Sequence, residues 1–360
     1  MTITQPSGVG AGRTGFSTTD RFMLRMAVAG TLGFAIAVWF GWPISFLAPM
    51  LAVKMIPAMP TFPNPLQAAV LPVVMWVSTT AALMVTSLLG DAPFVQLLIL
   101  GLVIFVTFYA KRRGAPGGLI LLLQVGFCIV PLFSTISLEL GHFIADFLQR
   151  NTVAATATLL ISHLLVPALP AATQAAPAAP APPVRLSPPV AGRVALSDTL
   201  VLFPLLAYLL LGSAIQNFVM VMMTITILNE LDPTHGHRAA MTMIIGNTVG
   251  GLLAIAAQQV VLVADNLFFF LLTVFLTTLW FARGLTRPGP SADLYHLAAG
   301  TFMLILGLAV TPLPGGSEQS YLLRILHILI GTLWAVIALV IVLPLRRVPL
   351  APTIAAPAQG

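Results

Sequence analysis

Residues 168–196, ALPAATQAAPAAPAPPVRLSPPVAGRVAL, are Ala- and Pro-rich, carry two arginines and show neither helical nor strand periodicity. Such a proline density favours an extended, hydrated linker. On either side lie strongly apolar stretches of similar length, residues 21–167 and 197–346, so the chain is expected to be two membrane units joined by a cytoplasmic tether. Residues 1–20 and 347–360 are read as cytoplasmic tails.

Composition sets the class. Apolar residues make up 58% of the 360 residues and charged ones 7%, against about a quarter charged in soluble domains. Mean hydropathy is +1.01. Apolar runs of about 17–25 residues recur throughout, which predicts an all-α polytopic membrane protein and not a barrel of short alternating strands. Six spans are expected before the linker, at about 22–40, 44–60, 66–90, 93–110, 117–137 and 145–167. Six more follow, at about 197–212, 214–230, 238–263, 266–282, 293–312 and 321–345. A cleaved signal peptide is not expected, because the first run holds Arg25 and ends in Phe40-Gly41-Trp42-Pro43.

Net charge is +6, yet the basic residues are spread over loops and ends, which argues against a nucleic-acid partner. With a cytoplasmic N-terminus, fourteen of the 16 Lys and Arg lie on or toward the cytoplasmic side, leaving only Arg150 and Arg324 outside that pattern. Both termini and the linker are then inside.

The halves align in one order. Gly41 falls on Gly212, Ala68-Ala69 on Ala239-Ala240, and Tyr109-Ala110-Lys111 on Phe281-Ala282-Arg283. Gly126 stands five before Pro131 as Gly307 stands five before Pro312, and Phe147–Arg150 answers Tyr321–Arg324. Together these matches indicate duplication. An even number of spans per half makes the repeats parallel, related by an axis along the membrane normal.

The Arg25-bearing first helix with its Gly-Trp-Pro turn, the basic break after the fourth span (Lys111-Arg112-Arg113; Arg283), and an arginine at the start of each sixth span resemble the fusaric-acid-resistance superfamily. That superfamily includes bacterial aromatic carboxylic acid exporters, with plant aluminium-activated malate channels as distant relatives. Within it the chain looks most like a compact bacterial group of unknown function. The resemblance spans about residues 20–346. It implies an inner-membrane exporter of organic, often aromatic, anions, usually alongside a periplasmic membrane-fusion partner. Larger exporters of the superfamily carry a sizeable cytoplasmic region between their halves, whereas this chain has only the linker.

Chemistry-bearing motifs are few. No Walker-type phosphate loop, His-Glu-x-x-His or Gly-x-Ser-x-Gly occurs, so an enzyme is not expected and energy must come from a gradient or from another subunit. No cofactor is expected. His235-Gly236-His237 offers two imidazoles but no further ligand, and reads as a polar turn; the single Cys128 sits in an apolar run. His142 and Asp146, one turn apart, could relay protons or simply open a solvated helix.

The candidate substrate-binding residues are Lys54, Arg150, Arg324, Arg238, Glu230, Asn247 and Gln124. Lys54 falls about 16 Å into the second span, where an ionised lysine must face protein or a wet cavity unless it snorkels, and it could hold a carboxylate or pair with Glu230. Arg238 lies just beyond. Arg150 and Arg324 either neutralise an anion at the outer mouth or snorkel and pair with Asp146 or Glu318. Asn247, within the small-residue run Gly246–Gly251, and Gln124 are polar amides that would be costly facing lipid.

The leading expectation is a secondary transporter for small organic anions working between the two repeats. No acidic residue is read mid-span, which leaves a passive channel open; a non-transporting scaffold of an efflux complex is the alternative from another class. Expected partners are lipid, a small organic anion, a periplasmic membrane-fusion protein and a second copy of the chain.

Overall fold

The computed structural model describes residues 16–59, 61–167, 185–212, 217–230, 236–264, 266–287 and 291–310, together with Ile330, Gly331, Leu333, Trp334, Ile337, Ala338 and Ile341. Among these there are eleven helices and no strands. In order they are α1 Thr18–Trp39, α2 Leu47–Ala58, α3 Pro65–Leu89, α4 Pro93–Arg112, α5 Gly117–Ser134, α6 Leu138–Leu165, α7 Pro188–Leu211, α8 Phe218–Glu230, α9 Gly236–Ala264, α10 Leu267–Leu285 and α11 Ser291–Val310. Of the twelfth expected span, the described residues between 330 and 341 are all helical. Eight helices are long and apolar enough to cross a membrane, so the chain is a multi-pass membrane protein.

Helix starts follow local chemistry. Ser17 accepts from the Asp20 backbone N–H at 3.1 Å while Asp20 accepts from the Ser17 N–H at 2.9 Å. This reciprocal cap opens α1 at Thr18, so residues 18–20 are helical and not part of a tail. Asn64, Ser137 and Asn266 cap α3, α6 and α10 with their side chains, and Pro65, Pro93 and Pro188 occupy the first turns of α3, α4 and α7.

Two boundaries differ from the sequence reading. Residues 188–196, expected in the linker, form the first part of α7. The Pro188-Pro189 pair that reads as linker is tolerated where the first helical N–H groups have no carbonyl to meet. Likewise α6 begins at Leu138 and not near 145, because the Ser137 cap precedes a polar but helix-compatible turn.

Small residues set the closest approaches. A Cβ on Gly33 would stand 2.7 Å from the Pro49 Cα, one on Gly307 2.7 Å from the Phe46 Cα, and one on Gly250 2.4 Å from the Ala298 carbonyl oxygen. These bring α1 onto α2, α11 onto α2, and α9 onto α11. The contacts run in matched pairs across the chain: α3 packs on α5 and α9 on α11; α1 on α10 and α4 on α7; α2 on α11 and α5 on α8. The short helices α2 and α8 are the most enclosed, with Phe218 through Leu228 all buried.

One end of the bundle is basic. There Arg21 and Arg25 donate to the carbonyls of Pro167 and Val166 at 2.6 and 2.7 Å, joining the start of α1 to the end of α6. The Leu186 N–H donates to the Arg112 carbonyl at 3.1 Å and Arg113 donates to the Leu186 carbonyl at 2.9 Å, joining the start of α7 to the end of α4.

Candidate functional site

The last carbonyls of a helix have no intrahelical donors. At α8 those carbonyls are met by Lys111, in the last turn of α4, whose Nζ donates to the Leu228 carbonyl at 3.4 Å and to the Asn229 carbonyl. A cation there also complements the negative end of the helix dipole. Asn229 in turn donates from Nδ2 to the Gln124 side-chain oxygen on α5, and Gln124 donates to the Thr107 hydroxyl on α4 at 3.2 Å. Gln124 is seven residues from the start of α5, hence about 10 Å inside the basic end. The Asn229 Oδ1 is buried and has no hydrogen-bond partner among the described residues. Three helices thus converge an amine, two amides and a hydroxyl at one place, Gln124 and Thr107 buried and Lys111 and Asn229 partly so.

Beside this cluster, Arg112 donates from Nη2 and Nε to one carboxylate oxygen of Asp198 on α7, at 2.6 and 3.1 Å. Their side chains are 5% and 0% exposed. Asp198 lies ten residues into α7, about 15 Å along it. The early start of α7 moves Asp198 from the edge of a helix to its interior, where it faces Arg112 at the basic end of α4.

Lys54 is half-buried on α2. Gly33 meets Pro49 and Gly30 meets Val53, so α2 runs down α1 with Lys54 level with Val28 and Ala29, at the middle of α1. Its neighbour Met55 reaches Gly118 at the start of α5, where a Cβ would stand 2.5 Å from the Met55 methyl. The end of α2 is held by His163, 3% exposed, whose Nε2 lies 3.1 Å from the Met59 carbonyl.

The other candidates separate. Arg150 pairs with Asp146 one turn away at 2.7 Å, and its guanidinium carbon lies 5.7 Å from the centre of the Phe147 ring; both charged side chains are about half exposed, on the outer face of α6. Neither residue joins the cluster. Asn247 is buried in α9, accepting from the Thr301 hydroxyl of α11 at 2.6 Å, and so ties two helices together. Glu230 ends α8, one residue past Asn229, and Arg238 is in the first turn of α9; their side chains, and all of Arg324, His235 and Glu318, lie outside the described residues. Sequence reasoning missed Lys111, Asn229 and the Arg112–Asp198 pair as interior groups. The available signal was Asp198, an acidic residue in an otherwise apolar run.

A family model described as a protein of unknown function (DUF2955) matches residues 23–165, from the sixth residue of α1 to the last residue of α6. No curated protein and no solved structure matches the chain.

Proposed function

We propose that the chain is a gradient-driven transporter of small organic anions of the aromatic carboxylate kind, set in a bacterial inner membrane with its basic end in the cytoplasm. The observation that carries the reading is the Lys111–Asn229–Gln124–Thr107 cluster at the end of α8. Polar groups gathered between the helices of a membrane bundle are the usual setting of a substrate site. Its composition, one amine with amide and hydroxyl donors, suits a carboxylate. Lys54 at half depth supplies a second positive group on the way through.

Two parallel repeats fit this reading. The reciprocal pairings α1–α10 with α4–α7, and α2–α11 with α5–α8, are those a two-fold axis along the membrane normal would generate. The resemblance to the fusaric-acid-resistance superfamily supplies the substrate class and the periplasmic membrane-fusion partner.

Uptake of benzoate-like acids into inverted vesicles tests the proposal. Lys54→Met should insert and fold normally yet lose anion uptake, with Lys54→Arg keeping part of it; Gln124→Leu should weaken uptake at low substrate more than at saturation. Wild-type uptake by Lys54→Met would remove Lys54 from the pathway, and failure of the wild type to move any carboxylate would end the transport reading.

A further inference from the structure

At the end of the bundle opposite the basic one, a cavity of about 240 Å³ opens between α3, α4, α5 and α7, lined by Thr86, Gln96, Leu97, Ser134, Thr135 and Leu210 among others. It is smaller than the roughly 300–1,000 Å³ of drug-sized sites, so it suits a small molecule. Gln96 is 9% exposed and donates to the Thr86 hydroxyl at 3.3 Å. The lining holds amide and hydroxyl groups and no charge.

Helical periodicity links this cavity to the cluster at the other end. At 100° per residue, Gln96, Leu100, Ile104, Thr107 and Lys111 share one face of α4, and Thr135, Pro131, Cys128 and Gln124 share one face of α5. Each face reads polar, then apolar, then polar. Gln96 and Thr107 are eleven residues apart, about 16 Å, or half of a hydrocarbon core. Between them Leu100, Ile104 and Cys128 are 0%, 1% and 0% exposed, so the seam is closed there.

We infer that the α4–α5 seam is one membrane-crossing pathway for small carboxylates, with the 240 Å³ cavity as its outer vestibule and Leu100, Ile104, Cys128 and Pro131 as its closed gate. This rests on the transport reading and names its route. In the vestibule the hydroxyls of Thr86, Ser134 and Thr135 donate to their own helices' carbonyls, so Gln96, with a second amide N–H beyond the one on Thr86, is the group that meets a carboxylate there without fixing it by charge, and the amine of Lys111, held on the α8 carbonyls, lies beyond the gate. Pro131 supplies the means of opening. It sits inside α5, has no N–H for the Phe127 carbonyl, and so leaves the last turn of α5 joined to the rest by a weakened turn.

The chain's single cysteine reports on the gate. In proteoliposomes, modification of Cys128 by a small cationic methanethiosulfonate, followed by intact mass, should be slow in the wild type. Leu100→Ala with Ile104→Ala should speed it by about tenfold or more by populating the open seam, and adding Gln96→Trp, which fills the vestibule, should slow it again. A folded double-alanine variant with unchanged labelling overturns the gate, and fast labelling that Gln96→Trp does not slow overturns the vestibule. Should the double variant not fold, Gln96→Cys in a Cys128→Ser background keeps the idea exposed: it must label with the gate intact, while Leu102→Cys on the outer face of α4 must not, and an unlabelled Gln96→Cys overturns the route. None of these readouts uses an anion. Gated labelling without carboxylate flux would refute the transport reading alone, and flux with an unreactive seam would refute the pathway alone.

Discussion

Arg112 and Asp198 form a charged pair with almost no exposed surface, and such a pair is held by geometry more than by net energy. Removing one partner strands a buried charge. Asp198→Asn or Arg112→Met alone should therefore lower stability by about 3–5 kcal/mol, whereas Arg112→Met with Asp198→Leu should return close to wild type. Thermal unfolding in detergent, followed by tryptophan fluorescence, checks this; additive losses in the double variant would contradict it. The pair also shows where sequence legibility ended. Arg112 stands in a basic triplet, Lys111-Arg112-Arg113, that positive-inside logic assigns to a loop as a block. In the fold the three separate: Lys111 reaches α8, Arg112 reaches α7, and Arg113 reaches the Leu186 carbonyl. Charge counting sees which side of a membrane a residue belongs to, and long flexible side chains then turn inward to whatever carbonyl or carboxylate the packing leaves unmet. Gln124 was legible as an interior group because no loop lay near enough to excuse it, whereas Lys54, four residues from the end of α2, was legible only as a group that is interior or snorkels. Asn229 was not singled out with them, since it sits at a helix end where an asparagine ordinarily needs no explanation.

At the scale of elements, the glycines of α9 divide by what stands opposite them. A methyl at Gly250 would meet the Ala298 carbonyl oxygen at 2.4 Å, while one at Gly251 would meet the tip of Ile305 at 3.3 Å. Backbone cannot step aside and a side-chain tip can. Gly250→Ala should cost about 1–3 kcal/mol by forcing α9 off α11, and Gly251→Ala should stay within about 0.5 kcal/mol of wild type. Denaturation midpoints of the two variants separate the cases, and equal losses would refute the assignment. Sequence located these helices well because Pro65, Pro93, Asn64 and Asn266 punctuate the apolar runs. It placed α7 nine residues late for a reason of the same kind: proline marks both a linker and the first turn of a helix, and only the following turns distinguish them. The tilt toward α2 and α8 as enclosed short helices was not readable, since their apolar composition matches that of lipid-facing helices.

Across the whole molecule, the two halves touch through α1–α10, α4–α7, α2–α11 and α5–α8, so their union is a broad interface and not a hinge around the linker. Chains split between residues 170 and 184 and co-expressed should therefore co-purify, and Asp198→Asn in the second fragment should lower the recovered complex. Separate elution of well-inserted wild-type fragments would overturn this. The join at the start of α7 has a further meaning in the order of synthesis. When residues 185–198 leave the ribosome, α4 and its carbonyl at Arg112 have already been made, and the first hydrogen bonds of the second half, at Leu186 and Asp198, are made to the first. By then the older half already holds, in the Arg112 carbonyl and guanidinium, the partners that the start of the younger half needs.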